Sequence, residues 1–489
     1  MNMTYLKVKP ILGMTVTSFM LSWPIAGFTD EISVLRQAVD QLNEKVENLE
    51  AGKTEDDFES FEFHGYSRAG FGWNQDGGTG NRYRWGYNAS GMDEHYWRLG
   101  NESHNAYTNL TFVKNIKTND QSFAKFVSSV IVEPEGEDNW EPTSAVVRQL
   151  YAEMGNFSWA PGVTFWAGEK WYRHPGDQHI TDWQFLDIAG YGGGVGDIPV
   201  GESAKFSMAA LGFIDENTYE VYGSDETTEL TDNGKPSSYV VDFRVEEIPI
   251  GVGNMLVQFA PTWTTGGKFE EAVEDANGDA IYELDSESGW MTAVYLNFDD
   301  FFGLMDGGYG RVIGRYGSGY GSTLFNNRYM QPNPYNTSID WDNSSRWSIS
   351  LDGLIEISPS FQIMPVIAYQ AFDNGLEQDN QITKILYGGR AKYSINNNFA
   401  LQLETGAVYL DSEPTATASG HLEDTLYKVT FAPTIQPDLG FWARPEIRFY
   451  TTYAWWGDEE SNAYLDDTAG IDSDDTSGFT YGMQMEVWF

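Results

Sequence analysis

The last eleven residues alternate without interruption: Phe479, Tyr481, Met483, Met485, Val487 and Phe489 fall on one side, and Thr480, Gly482, Gln484, Glu486 and Trp488 on the other. A period of two marks a half-buried strand. One apolar and one polar face suit a strand with lipid outside and water inside, because hydrocarbon tolerates only segments whose backbone groups are all paired, as in a closed barrel. Other segments phase the same way. Phe61, Phe63 and Phe71 share a face, opposite Glu62, His64, Tyr66 and Arg68. Tyr309, Arg311 and Arg315 are in phase, and Trp442, Arg444, Glu446 and Arg448 alternate with Ile447 and Phe449. The alternation predicts that Tyr66, Arg68, Tyr309, Trp442 and Trp488 face a lumen. From Phe61 to Phe489 short alternating runs are separated by turns rich in Gly, Asn and Asp, with no long helix and no internal repeat. The fold class expected is all-β, a closed antiparallel transmembrane β-barrel.

The pattern before residue 61 is different. Residues 1–27 carry Lys7 and Lys9 and then the apolar stretch Ile11 to Ile25, which reads as a secretory signal peptide, with Pro24 leaving the cleavage point open. Within 28–60, Ile32, Val39 and Val46 take heptad a positions and Leu35, Leu42 and Leu49 take d. Three such heptads predict a short coiled coil, and β-branched a with Leu d favours two strands in isolation. Ala51 to Ser60 is an acidic linker, and 61–489 is the barrel.

Composition narrows the class further. Aromatic residues make up 15% of the chain and Gly contributes 51 positions, as interfacial girdles and many tight turns require. No uncharged run of about twenty apolar residues follows the N-terminus, so helical spans are excluded. Without Cys there is neither a disulfide framework nor a thiolate metal site. A net charge of -43 repels nucleic acid, which is excluded as a partner. The acid is clustered at Glu270–Glu287 and Asp458–Asp475, in polar segments that read as extracellular loops. Asp275, Asn277 and Asp279 offer alternating oxygens, so loop-bound divalent cations stay open, although Gly278 is out of place for an EF-hand. His174, Asp177, His179 and Asp182 match no metal-site spacing, and no G-x-S-x-G occurs. No catalytic residue and no cofactor is expected.

An aromatic ring on a polar barrel face calls for a reason. Packing against an infolded loop is one. The other is a sugar path: C–H faces of the sugar lie on the rings while the hydroxyl edges bond to charged neighbours. The segments Phe63-His64-Gly65-Tyr66-Ser67-Arg68, Trp97-Arg98-Leu99-Gly100-Asn101-Glu102, Phe165-Trp166-Ala167-Gly168 with Trp171-Tyr172-Arg173-His174, Trp442-Ala443-Arg444-Pro445 and Gln484-Met485-Glu486-Val487-Trp488-Phe489 resemble the maltoporin family of carbohydrate-specific porins, in order and in spacing. The resemblance implies a homotrimer of eighteen-stranded barrels in the bacterial outer membrane, among lipid and lipopolysaccharide. Each barrel would pass maltodextrin or a related oligosaccharide along an aromatic slide. The heptads resemble the periplasmic coiled coil of the family's sucrose-porin branch.

Carried over by matching motifs, the slide comprises Tyr66, Tyr107, Tyr309, Trp442 and Trp488, with Trp140 reaching in from a neighbouring subunit. The polar track comprises Arg68, Arg98, Arg148, Arg173, Asp177 and Asp182. Asn109 replaces an expected carboxylate, Pro175 and Gly176 are inserted before Asp177, and Gln184 stands where the family narrows the channel with tyrosine. A porin for sucrose or another oligosaccharide and a non-specific diffusion porin are the alternatives. Deleting Ile32 to Leu49 from the mature chain is expected to leave trimers and sugar block of current intact, because barrel closure satisfies the strand edges without the helix. Loss of trimers on a semi-native gel would instead assign that helix to assembly.

Overall fold

A computed structural model describes residues 60–489 apart from 81, 87–95, 102–104, 119–120, 135–142, 173–178, 182–187, 215–217, 221–226, 230–236, 275–279, 326–338, 377–380, 413–420 and 466–470. The predicted signal peptide and coiled coil, Trp140, Arg173, Asp177, Asp182, Gln184, the Pro175-Gly176 insertion and the 275–279 oxygens lie outside the described residues.

In chain order the strands are β1 (Phe61–Asn74), β2 (Asn105–Ile116), β3 (Phe123–Pro134), β4 (Thr143–Phe157), β5 (Ala160–Trp171), β6 (Ala189–Val200), β7 (Ala204–Ile214), β8 (Thr218–Glu220), β9 (Thr227–Glu229), β10 (Ser237–Pro249) and β11 (Gly253–Thr264). They continue as β12 (Gly267–Glu274), β13 (Ala280–Leu284), β14 (Ser288–Asp299), β15 (Tyr309–Gly319), β16 (Ser345–Ser358), β17 (Phe361–Asp373), β18 (Gln381–Asn396), β19 (Phe399–Ser412), β20 (Leu422–Ile435), β21 (Glu446–Trp455) and β22 (Ser477–Trp488). Eighteen of them form one sheet in which every sequential pair is antiparallel and β1 also pairs with β22, so the sheet closes on itself. The short pairs β8–β9 and β12–β13 are hairpins within connections. No helix among the described residues is long and apolar enough to cross a membrane.

Burial is inverted relative to a soluble domain, as two-faced strands around water require. Outward Phe71, Ile349, Ile367 and Phe449 are exposed, whereas inward Asp242, Arg244, Lys392, Glu446 and Arg448 are buried. Connections are long at one end of the barrel and short at the other, where β1 begins and β22 ends. At the long-connection end, outward rings pair across strands: Tyr239 with Trp263 at 5.5 Å, Trp290 with Tyr316 at 5.5 Å and Trp347 with Tyr369 at 4.6 Å. Amphipathic rings settle at a membrane–water interface, so this belt marks one edge of the bilayer. Phe61, Phe63, Phe112 and Phe489 contact one another at the other edge.

The alternation reading extends through Trp442, but β21 starts only at Glu446. Pro445 has no N–H for the ladder, so the chain before it is free to turn inward as part of the β20–β21 connection. Ile367 lies midway along β17 on the lipid face. Ile367→Lys is expected to cost about 2–4 kcal/mol of barrel stability, read by urea unfolding in vesicles.

A candidate solute path at the barrel seam

The β1–β22 register sets Tyr66 opposite Trp488 and Arg68 opposite Glu486, while β2 places Tyr107 opposite Arg68 on the other side. Glu446 of β21 continues that row beyond Glu486. Inward side chains from the two ends of the chain therefore converge. The Tyr66 and Tyr107 rings lie 6.0 Å apart, with the Arg68 guanidinium 5.0 Å from the Tyr107 centroid. The Trp442 and Trp488 rings lie 6.2 Å apart, with Arg444 at 4.0 Å over Trp488. All four rings are half-buried, leaving surface toward the lumen.

Between the two ring pairs runs a charged network. Tyr66 Oη donates to Glu486 Oε1 at 2.9 Å and accepts from Arg98 Nη2 at 2.7 Å. Glu486 also meets Arg444 at 2.8 Å and Arg448, and Arg448 bridges to Glu446 at 2.6 Å. Glu446 is shared further by Lys392, by Arg444 at 3.0 Å and by Gln402 Nε2 at 3.0 Å. Two carboxylates thus hold several cations in place by charge-assisted hydrogen bonds.

Two segments fold into the lumen to complete the cluster. In one, Trp97, Arg98, Leu99 and Gly100, from the β1–β2 connection, run along the inner wall. The other, 179–181 of the β5–β6 connection, puts His179 edge-on to Trp442 and Trp488, with centroids 5.5 Å and 5.7 Å away. Arg98 Nη1 donates to the His179 carbonyl at 3.2 Å, tying the segments together.

Other predicted residues lie elsewhere. Tyr309 sits on β15, nearly opposite β1 in the ring, beside Arg311 at 5.3 Å, and Arg311 donates to Asp352 at 3.1 Å. The structure does not bring Arg148 to the cluster. It stands where the β3–β4 register shifts, and lines a groove of about 880 Å³ with Glu169 and the outward rings of Tyr191, Tyr239 and Trp263. A bulge re-aims side chains locally, which motif spacing cannot convey. Asn109, in the place of the expected carboxylate, accepts from Ser129 Oγ at 2.9 Å.

Sequence reasoning missed a second inward patch. Trp166 and Tyr172 stack at 5.5 Å, Lys170 lies 4.6 Å from the Tyr151 ring and 2.9 Å from Glu153, and Arg244 covers Tyr172 at 4.0 Å. The shared even phase of Trp166 and Lys170 was the available signal.

A chain matching the LamB porin family throughout its barrel, residues 61–489, carries this arrangement. It belongs to that family. This LamB-family porin of the outer membrane is similar in architecture to the outer membrane channel DcaP of Acinetobacter baumannii, at 12% identity over 88% of this chain and 99% of that one, with a TM-score of 0.46. It is also similar to OccD3 of Pseudomonas aeruginosa (9% identity, 88% and 91% covered, TM-score 0.42) and to OmpF of Salmonella typhi in complex with daunomycin (10% identity, 88% and 97% covered, TM-score 0.39).

The porin's long-connection mouth is acidic. Partial burial, then the neighbouring charges of Asp342, Asp285 and Asp340, push the Glu287 carboxyl up to about 7. A raised folded-state value means that the folded mouth holds a proton the unfolded chain releases, so local stability is present at pH 4–5 and is lost as pH climbs toward 7. Amide protection factors of 285–290 and 339–343, with the intrinsic pH dependence of exchange divided out, are therefore expected to be higher at pH 5 than at pH 8, and Glu287→Gln to remove most of that difference.

Proposed function

We propose that this porin is sugar-selective and passes maltodextrin-type or related oligosaccharides by passive diffusion down their gradient. The observation that carries the reading is the pair of half-buried ring couples, Tyr66/Tyr107 and Trp442/Trp488, each flanked by a guanidinium and joined by the Arg98–Tyr66–Glu486 hydrogen bonds. A sugar ring is itself two-faced. Its C–H surface can cover an aromatic face, while its equatorial hydroxyls exchange water for the carboxylates and guanidinium groups at the ring edges.

Transit requires that no site bind too tightly, since a solute must leave each position as readily as it enters. Stacking on exposed ring faces provides weak, repeated binding. Fixed charged groups let hydroxyl hydrogen bonds be handed on without reorganising the wall. Arg68 and Arg98 serve as the part of the polar track at the seam, Arg148 on β4 would extend it apart from that cluster, and Arg173, Asp177 and Asp182 are its proposed continuation. Trp140 from a neighbouring subunit completes the slide in a homotrimer seated among lipid and lipopolysaccharide. The N-terminal heptads extend into the periplasm as a coiled coil, and no catalytic step is involved.

Replacing Trp442 or Trp488 by Ala is expected to weaken sugar block of the ion current about tenfold, equivalent to ~1.4 kcal/mol, with little change in open conductance. Planar-bilayer titrations with maltose-series sugars, sucrose and cellobiose read both quantities and rank the substrates. Unchanged sugar affinity in both variants would overturn the slide, and absence of any sugar block in the parent protein would make it a general diffusion pore.

A further inference from the structure

The inward face of β18 and β19 is filled position by position, with one gap. On β18 the inward residues run Ile382, Lys384, Leu386, Gly388, Arg390 and Lys392; on β19 they run Gln402, Glu404, Gly406, Val408 and Leu410. Gly388 and Gly406 are directly opposed in the ladder. Two large side chains are thus missing side by side in an otherwise crowded wall. The indole of Trp97 occupies the space: a Cβ built on Gly406 would overlap it, while one on Gly388 would meet the β19 backbone at Thr405 O, 2.2 Å away, as well as the ring at 2.7 Å.

The backbone around Trp97 is fastened to the same rows of the wall. Lys428, the β20 neighbour of Gly406 in the ladder, donates to the Trp97 carbonyl and to Asn101 Oδ1 at 2.6 Å. Glu404, one row below, accepts the Leu99 N–H at 2.8 Å, and Thr430 beside it donates to the Leu99 carbonyl at 3.1 Å. Gln484 of β22 accepts the Gly100 N–H at 3.0 Å. Trp97, at φ 53°, and Gly100, at φ 80°, both take left-handed backbone, so the chain bends to follow the wall. That conformation is costly for tryptophan and persists where its surroundings over-determine it.

The geometry points to the Gly388–Gly406 window as the determinant of channel calibre: it is a socket that pins residues 97–100 flat against the wall and thereby aims Arg98 at Tyr66. Trp97 is the peg, Lys428, Glu404, Thr430 and Gln484 are positioning residues, and none of them needs to touch solute. The inference rests on the porin assignment and not on sugar selectivity. A side chain placed in the window leaves the indole nowhere to go but inward, carrying the strap into the water-filled path.

The test is single-channel conductance of the full-length porin in salt without sugar. Gly406 takes no left-handed conformation, so Gly406→Val should be accommodated by the strand while its side chain fills the window. Conductance is expected to fall about twofold, as a narrowed pore requires, and sugar block to weaken in parallel. Adding Trp97→Ala to Gly406→Val should restore conductance toward that of the parent, because the clash is gone while the barrel is otherwise the same. Parental conductance in a correctly folded Gly406→Val, or a double variant as low as the single one, would overturn the proposal. If Gly406→Val does not reach the membrane, Gly406→Ala, whose Cβ alone would overlap the Trp97 ring, carries the same decision. A conductance change with no sugar block in any variant would leave the socket standing and sink only the sugar reading.

Discussion

Everything in this molecule depends on one backbone pairing, the antiparallel seam between β1 and β22. An eighteen-stranded sheet left open would expose two rows of unpaired N–H and C=O groups to hydrocarbon, at several kcal/mol for each group. Closure removes both edges at once. The same seam brings Tyr66 and Glu486, 420 residues apart in sequence, into hydrogen-bond contact. The candidate path therefore exists only in a closed barrel, and its geometry is as firm as the ladder beneath it.

The lumen wall near the seam is held by charge compensation. Glu446 and Glu486 are buried among Arg98, Lys392, Arg444 and Arg448. Burying ions is expensive, and removing one partner from such a group typically costs about 3–5 kcal/mol. The network is consequently a poor source of net stability and a good source of fixed geometry. Its fixed donors and acceptors suit a wall along which hydroxyl groups exchange partners. The chain's excess acid, by contrast, is concentrated in connections at the long-loop end, where exposed charges beyond a Debye length of ~8 Å are screened at physiological salt.

Two segments that leave the wall and return to it shape the lumen. Trp97, from one infolded segment, fills a glycine window, and within the wall itself Trp166 of β5 lies against Gly194, its ladder partner on β6, so in both places a strand gives up a side chain and a neighbouring indole takes the space. In each case the wall surrenders local strand propensity in exchange for a close approach that any Cβ would block.

The sequence by itself determined the class of fold. Period-two alternation, absent helical spans and the aromatic content require strands that separate lipid from water, because no other arrangement satisfies the backbone. It also determined the inward phase of Tyr66, Arg68, Tyr309 and Trp488, since parity along a strand is a local property. Parity did not survive interruptions. The register shift between β3 and β4 falls at Arg148, where strand parity no longer fixes a direction, and the turn before β21 carries Trp442 inward from a connection and not from a strand. Only the tertiary structure decided which inward residues meet. The partnership of Tyr66 with Trp488, the edge-on placement of His179 and the seating of Trp97 between Gly388 and Gly406 depend on register and on infolded connections, which join residues hundreds of positions apart and leave no periodic trace in the chain.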